Sequence, residues 1–185
     1  MLSEAGKQFL LKVARESSVA AVCDKKLEPL CDIPPELLQP AGAFVTLHEA
    51  HELRGCIGYI DPVKLLIETI QEAAVKAALD DPRFLPVSQE ELERIEIEIS
   101  VLSPLQPVTS IDNVKIGTHG LVVEIDSFRG LLLPQVASTQ GWNEETFVLQ
   151  TIRKAGLPLS YRHHKDLKIF LFTAEVFHEH VSTET

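Results

Sequence analysis

An α+β fold, a mostly antiparallel sheet flanked by helices, is what this sequence predicts. Three observations carry that expectation. Ile95, Ile97, Ile99 and Val101 alternate with Glu96, Glu98 and Ser100, the period-two pattern of a strand with one buried and one wet face. Leu121–Asp126 and Arg129–Leu133 read as the arms of a hairpin around Ser127-Phe128. Helical segments interrupt the strands at irregular intervals, which departs from βαβ alternation and favours antiparallel pairing.

From the start of the chain, Ser3 opens a helix in which Phe9, Leu10, Val13 and Ala14 recur at helical spacing. Leu27–Pro40 is proline-rich and reads as an irregular connection with one helical turn at Pro35–Leu38. Ala43–Leu47 then reads as a strand, His48–Leu53 as a polar loop, and Arg54–Ile60 as the returning strand. Asp61-Pro62 has the form of an N-cap followed by proline at the first helical position. The helix it predicts runs to Leu79, with Leu65, Leu66, Ile70, Ala73, Ala74 and Ala77 facing inward, and Asp80-Asp81-Pro82 stops it. Ser88 with Glu91 has capping-box spacing for a short helix. Later, Asn143 caps a helix through Lys154 that Gly156 and Pro158 close. Lys168–Phe177 is apolar on both faces, which places it centrally in a sheet.

A chain of 185 residues is long enough for one core or for two lobes sharing one. No apolar run approaches the roughly 20 residues that cross a bilayer. Glu4, Lys7, Lys12 and Arg15 interrupt the N-terminal apolar positions, which fits an amphipathic helix and not a secretion signal. Three cysteines, Cys23, Cys31 and Cys56, make no complete disulfide framework and suit a reducing, cytoplasmic setting. The net charge of −10 argues against a nucleic-acid partner, which would be held through clustered Lys and Arg. There is no Walker loop, GxGxxG, GxSxG or iron–sulfur cysteine spacing.

The segment of most chemical interest is Arg54-Gly55-Cys56-Ile57-Gly58. In an extended strand Arg54, Cys56 and Gly58 share one face. Two glycines inside a strand point to close backbone approach or a bulge. A neighbouring guanidinium would favour the thiolate, the reactive form of cysteine, and Gly58 would leave room for a ligand. Against this stands the plainer role of cysteine as a small buried hydrophobe, which is the reading for Cys23 and Cys31.

Leu53–Gly58, LRGCIG, is also the signature hexapeptide of the AMME chromosomal-region family, and the chain resembles that family at further points in the right order. These are Phe44–Leu47, Asp81–Pro86, His119–Leu121, Leu132–Ala137, Lys154–Pro158 and Thr173–Phe177, together spanning about residues 40–178. The resemblance implies one domain over residues 1–185, made of two intertwined lobes, with a pocket lined by the hexapeptide. The family's microbial members are similar to protein A of the AmmeMemoRadiSam system. That similarity implies the company of a Memo-type protein and a radical S-adenosylmethionine protein, and supplies neither substrate nor cofactor. Many relatives carry tryptophan shortly after the Lys154–Pro158 motif, where this chain has Tyr161; stacking would persist with altered size and polarity.

Other residues are weighed in the same way. His119 is a candidate base for Cys56, since cysteine nucleophiles commonly need one; otherwise it holds a turn with Gly120 left-handed. Arg83 offers two parallel hydrogen bonds to a carboxylate or phosphate; otherwise it pairs with Asp81, which caps a turn. Gln135 offers an amide to a ligand or to the end of the preceding strand. His48 and His51, three apart, lack zinc-protease spacing, and with His163, His164, His178 and His180 they read as solvated imidazoles, with no metal site assigned. The functions in view are a small-molecule enzyme or enzyme component acting at Cys56 (with Arg54 and His119 in support and Gly55, Gly58, Asp81, Arg83 and Gln135 as ligand contacts), or a binding and adaptor module. Regulation through nucleic acid is the third.

Overall fold

The computed structural model describes residues 1–108 and 110–179; His180 lies outside them. It divides into two compact units, Met1–Leu102 with the chain from Glu175 onward, and Ser103–Ala174. The α+β class is as the sequence predicts: the described residues form four α-helices and two four-stranded sheets.

The first unit has a sheet in the order β2 (Glu52–Tyr59), β1 (Ala43–Glu49), β3 (Ile95–Leu102), β8 (Ala174–His178). β1 pairs antiparallel with both neighbours β2 and β3. Helices α1 (Glu4–Val22) and α2 (Leu66–Leu79) pack together, and their apolar sides join Val45, Leu47, Ile97 and Ile99 in one core. Ser3 caps α1, its Oγ accepting from the Gly6 N–H at 3.0 Å. Arg15 ties α1 to the sheet, donating to the carbonyls of Leu92 and Ile95 and pairing with Glu179, which in turn accepts from the Ile97 N–H. Pro35–Leu38 is one 3-10 turn, as its composition predicts.

Several boundaries differ from the sequence reading, each for a non-local reason. The segment 48–53 is no loop: β1 and β2 extend into it and meet at a two-residue turn, Ala50-His51, with φ of 50° and 67°, the paired left-handed geometry of a type I′ hairpin. α2 begins at Leu66 and not at Pro62, because Leu65 bridges Pro40 and the Leu66 N–H donates to the Gln39 carbonyl at 2.9 Å. Its N-terminus is steadied by Glu68, which accepts from the Leu65 N–H at 3.2 Å. Ser88–Arg94 forms successive turns, not a helix, although Glu91 does accept from the Ser88 N–H at 2.7 Å. The alternation of β3 slips at its end: Ser100 is buried and Val101 half-exposed.

The second unit has the sheet order β4 (Gln106–Pro107), β7 (Lys168–Phe172), β5 (Gly120–Ile125), β6 (Phe128–Leu132). Its core joins Leu121, Val123 and Ile125 to Phe147, Val148 and Ile152 of α4 (Glu144–Lys154) and Ala137 of α3 (Pro134–Thr139). Asn143 caps α4 as predicted, its Oδ1 accepting from the Thr146 N–H at 2.9 Å. The β5–β6 turn falls at Asp126-Ser127, one residue earlier than the sequence suggests, because Asp126 takes a φ of 51°. Lys168–Phe177 is two strands, not one: Thr173 breaks it, its N–H donating to Ser103 Oγ and its carbonyl accepting from the Ser103 N–H, both at 2.9 Å. β7 is central in its sheet as expected, whereas β8 is at the edge of the other.

Candidate functional site

Cys56 lies on β2, an edge strand of its sheet. Directly across from it on β1 is Thr46, and across from Thr46 on β3 is Glu98. Opposed residues in antiparallel strands share a face, so thiol, hydroxyl and carboxylate stand in one row. Thr46 Oγ1 is 3.3 Å from Cys56 Sγ. The sulfur is half-buried.

An edge strand leaves one side of its backbone without a partner strand. Here two side chains supply what a neighbouring strand would. The Cys56 N–H donates to Asp81 Oδ2 at 2.8 Å, and Arg83 Nη2 reaches the Cys56 carbonyl at 3.4 Å. Asp81 follows α2 directly; Asp80 closes the helix and turns Asp81 inward, where its side chain is 2 % exposed. Its carboxylate also takes the Arg83 N–H at 3.1 Å, Arg83 Nε at 2.9 Å and Arg83 Nη2 at 2.7 Å. Four donors on one carboxylate hold its pKa well below the usual carboxylate range, with the Arg83 side chain the chief cause. Asp81 and Arg83 are therefore partners, as the plainer sequence reading had it, and together they finish the edge of the sheet beside Cys56.

Arg54 does not stand where strict alternation puts it. The β1–β2 register shifts between Leu47 and His48, so Leu53 opposes His48, Gly55 opposes Leu47, and Arg54 is the extra residue of a bulge. Its guanidinium turns to Glu91, with Nε to Oε1 at 2.7 Å and Nη2 to Oε2 at 3.3 Å, and it holds the carbonyls of Leu85 and Pro86. The Phe84 ring has a guanidinium on either account, Arg83 at 5.4 Å and Arg54 at 6.0 Å from its centroid. The segment 81–86 is thus clamped to β2 at both ends.

The clamp has an acid signature. Glu91 is lowered to about 2, first by Arg54 and then by the Ser88 N–H. A carboxylate depressed on folding contributes stability that is full above its ordinary pKa and lost as pH falls through the folded one. Glu91→Gln is expected to cost about 1–2 kcal/mol at neutral pH, with the difference fading between about pH 4.5 and 2. Urea unfolding at a series of pH values checks it; a difference that persists at pH 2 contradicts it.

The cation facing Cys56 is Arg83, not Arg54, and it does not hold the sulfur ionised. Burial pushes the thiol up; the Thr46 hydroxyl and Arg83 pull it down, and Asp81 and Glu98 push it up again. The thiol, not the thiolate, is the resting form at neutral pH. The two glycines divide in role. A Cβ on Gly55 would come within 2.2 Å of the Ala77 carbonyl oxygen of α2, the close approach that the sequence suggests. Gly58 leaves no room for a ligand: a Cβ there would meet the Phe44 ring at 2.3 Å, so the space is already filled.

His119 and Gln135 belong to the second unit. His119 closes a turn, its Nδ1 accepting from the Lys115 N–H at 3.1 Å, and the left-handed glycine of that turn is Gly117, with φ 80°, not Gly120. Gly120 instead makes room for the Phe172 ring. Gln135 is in the first turn of α3, where its carbonyl accepts from Thr139 Oγ1 at 2.9 Å. Tyr161 stacks on His164 with ring centroids 5.2 Å apart. Among the described residues no three His, Cys, Asp or Glu side chains converge to hold a metal ion, and no helix is long and apolar enough to cross a membrane. Cys23 and Cys31 are free thiols, the first half-exposed and the second exposed. Thr46 and Glu98 join the site only through strand register, which the sequence signals no further than by the wet face of β3.

The AMMECR1 family model matches residues 11–177. A protein of Thermococcus gammatolerans is 43% identical over 183 residues, covering 93% of this chain and 89% of its own length. One of Pyrococcus furiosus is 43% identical over 183 residues, covering 93% and 87%. The crystal structure of an uncharacterized Pyrococcus horikoshii protein, PH0010, superimposes with a TM-score of 0.90 at 40% identity, over 96% of this chain and 93% of that one.

Proposed function

Since the chain belongs to the AMMECR1 family, we propose that it is a small-molecule-processing enzyme or enzyme component whose reacting group is the Cys56 thiol, working beside a Memo-type protein and a radical S-adenosylmethionine protein. The observation that carries this reading is the construction around one sulfur. Cys56 is half-exposed, takes a hydroxyl contact from Thr46, and has its own backbone N–H and carbonyl held by Asp81 and Arg83. A residue kept merely to fill a core needs none of this. Arg83 is half-exposed while two of its nitrogens are bound to Asp81, so its outer N–H groups stand free for an anionic substituent of a ligand beside the sulfur.

The resting thiol sets the form of the test. Site-resolved iodoacetamide labelling is expected to modify Cys56 in the folded chain, with a pH midpoint above that of an ordinary cysteine. In a reconstituted mixture with the Memo-type and radical S-adenosylmethionine proteins, Cys56→Ala is expected to abolish consumption of small molecules from a cell extract, while Cys31→Ala retains it. A folded chain in which Cys56 refuses the reagent at every pH, or a Cys56→Ala variant with full turnover, overturns the reading.

An adaptor role is the second reading, and Leu85 favours it. That side chain is 83% exposed on the clamped segment next to β2, an apolar group held rigidly outward. Leu85→Asp is then expected to abolish partner pull-down that Cys56→Ala leaves intact.

A further inference from the structure

Glu98 stands in two settings at once. On one side it ends the row Cys56–Thr46–Glu98. On the other it lines a cavity of about 220 Å³ together with His48, His51, Glu96, Ile97 and His178. Register explains the second setting as well as the first. His48 opposes Glu96 one pleat along from the Thr46–Glu98 pair, so all four side chains share a face. His51 comes from the hairpin turn, and His178 ends β8, the strand beside β3.

The chemistry of the lining is one-sided. Among the described residues, two carboxylates and three imidazoles line the cavity and no Lys or Arg does. His48 and His51 each carry ring nitrogens able to accept a hydrogen bond, so the walls combine two carboxylates with further acceptors. A bare metal ion would need three or four donors drawn within about 2.0–2.2 Å of one point, and no three such side chains converge among the described residues. An ammonium or guanidinium group makes no such demand. It spreads several N–H donors over acceptors at ordinary hydrogen-bond distances. The volume is below the roughly 300 Å³ at which drug-sized sites begin, which suits the head of a molecule and not the whole of it.

We infer that this cavity receives the ammonium or guanidinium group of the substrate on which Cys56 acts, with Glu98 as the carboxylate common to cation and thiol. The inference rests on the reading of Cys56 given above and adds the substrate class. It also makes the sulfur responsive to its substrate. Glu98 and Asp81 both oppose ionisation of Cys56, and Asp81 is already neutralised by Arg83. Glu98 is therefore the uncompensated charge facing the thiol, while Glu96, His48, His51 and His178 face the same cavity. A cation seated on Glu98 cancels that charge and eases loss of the proton from sulfur.

The experiment is site-resolved alkylation of Cys56 in the full chain at neutral pH, with methylguanidinium or butylammonium chloride as probe and sodium chloride at equal ionic strength as reference. Either organic cation is expected to speed Cys56 labelling about twofold, saturably, with Cys31 unaffected. Glu98→Gln is expected to label faster without any cation and to lose the response. Glu96→Gln, which keeps Glu98, is expected to need a higher methylguanidinium concentration for half its effect. Unchanged or slowed labelling with both probes, equal acceleration by sodium chloride, or a Glu98→Gln variant that still responds overturns the inference. Failure of Cys56 to label under any condition overturns the parent reading instead, so the two are separable.

Discussion

Asp81→Asn is expected to lower the stability of the chain by about 3 kcal/mol at neutral pH, the largest loss from any single polar change in this site. The wild-type carboxylate receives four donors: the Cys56 N–H, the Arg83 N–H, and Arg83 Nε and Nη2. Asparagine keeps the shape but replaces one acceptor oxygen by an NH2 group, which points a donor at donors. The Cys56 N–H or the Arg83 fork is then left unpaired, and Asp81 is buried too deeply for water to substitute. Arg83 is half-exposed and can turn to solvent, which holds the cost to the lower end for broken buried pairs. In a chain of this length the loss corresponds to a Tm lower by about 6–12 °C. The sign with pH is fixed: Asp81 is depressed on folding, so its contribution is full above the ordinary carboxylate pKa and is lost only as pH falls through the lower folded value. Urea midpoints of wild type and variant are thus expected to differ fully at pH 7 and still at pH 4, and to converge only in stronger acid. A difference under about 1 kcal/mol at pH 7 contradicts the four-donor geometry. Cys56 supplies an independent readout, since removing the Asp81 charge favours its ionisation.

What could be seen in advance divides along a physical line. α1, α4 and β3 were legible because their signals are local: Ser3 and Asn143 as caps, and alternation from Ile95 to Ile99. The beginning of α2 was not, because Asp61-Pro62 offers a cap that the Pro40–Leu65 bridge overrides from a distance. Lys168–Phe177 looked continuous because its residues are apolar throughout, while the break at Thr173 depends on Ser103, seventy residues away. The site divides in the same manner. Cys56 and Gly55 stood out because a cysteine among strand glycines is locally unusual. Arg54 was misplaced because a bulge of one residue rotates it out of alternation, and nothing in RGC itself announces the register shift. Thr46 and Glu98 were invisible as partners of the thiol, since only the pairing of three strands brings them into its row.

Gly55→Ala reaches the same site through the backbone, and its expected sign runs against propensity. An alanine in the middle of a strand ordinarily stabilises by about 0.5–1 kcal/mol over glycine, and Gly55 has no left-handed φ to forbid the change. Here the new Cβ would stand 2.2 Å from the Ala77 carbonyl oxygen and 3.2 Å from its carbon. That oxygen is main chain of a packed helix and cannot swing aside as a side chain would. Either β2 or the last turn of α2 must move, and a net loss of about 1–3 kcal/mol is expected, seen as a Tm lower by about 2–12 °C. The displacement should not stay local. Ala77 is four residues before Asp81, and the next carbonyl, Ala78, accepts from the Val87 N–H at 2.8 Å, so both ends of the segment that clamps β2 are anchored to this turn. Hydrogen exchange of the Cys56 amide is therefore expected to quicken in Gly55→Ala by more than the global loss of stability accounts for. An unchanged or raised Tm would mean that α2 does not approach β2 this closely; a lowered Tm with Cys56 exchange changed only in proportion would mean that the helix yields without carrying Asp81 with it.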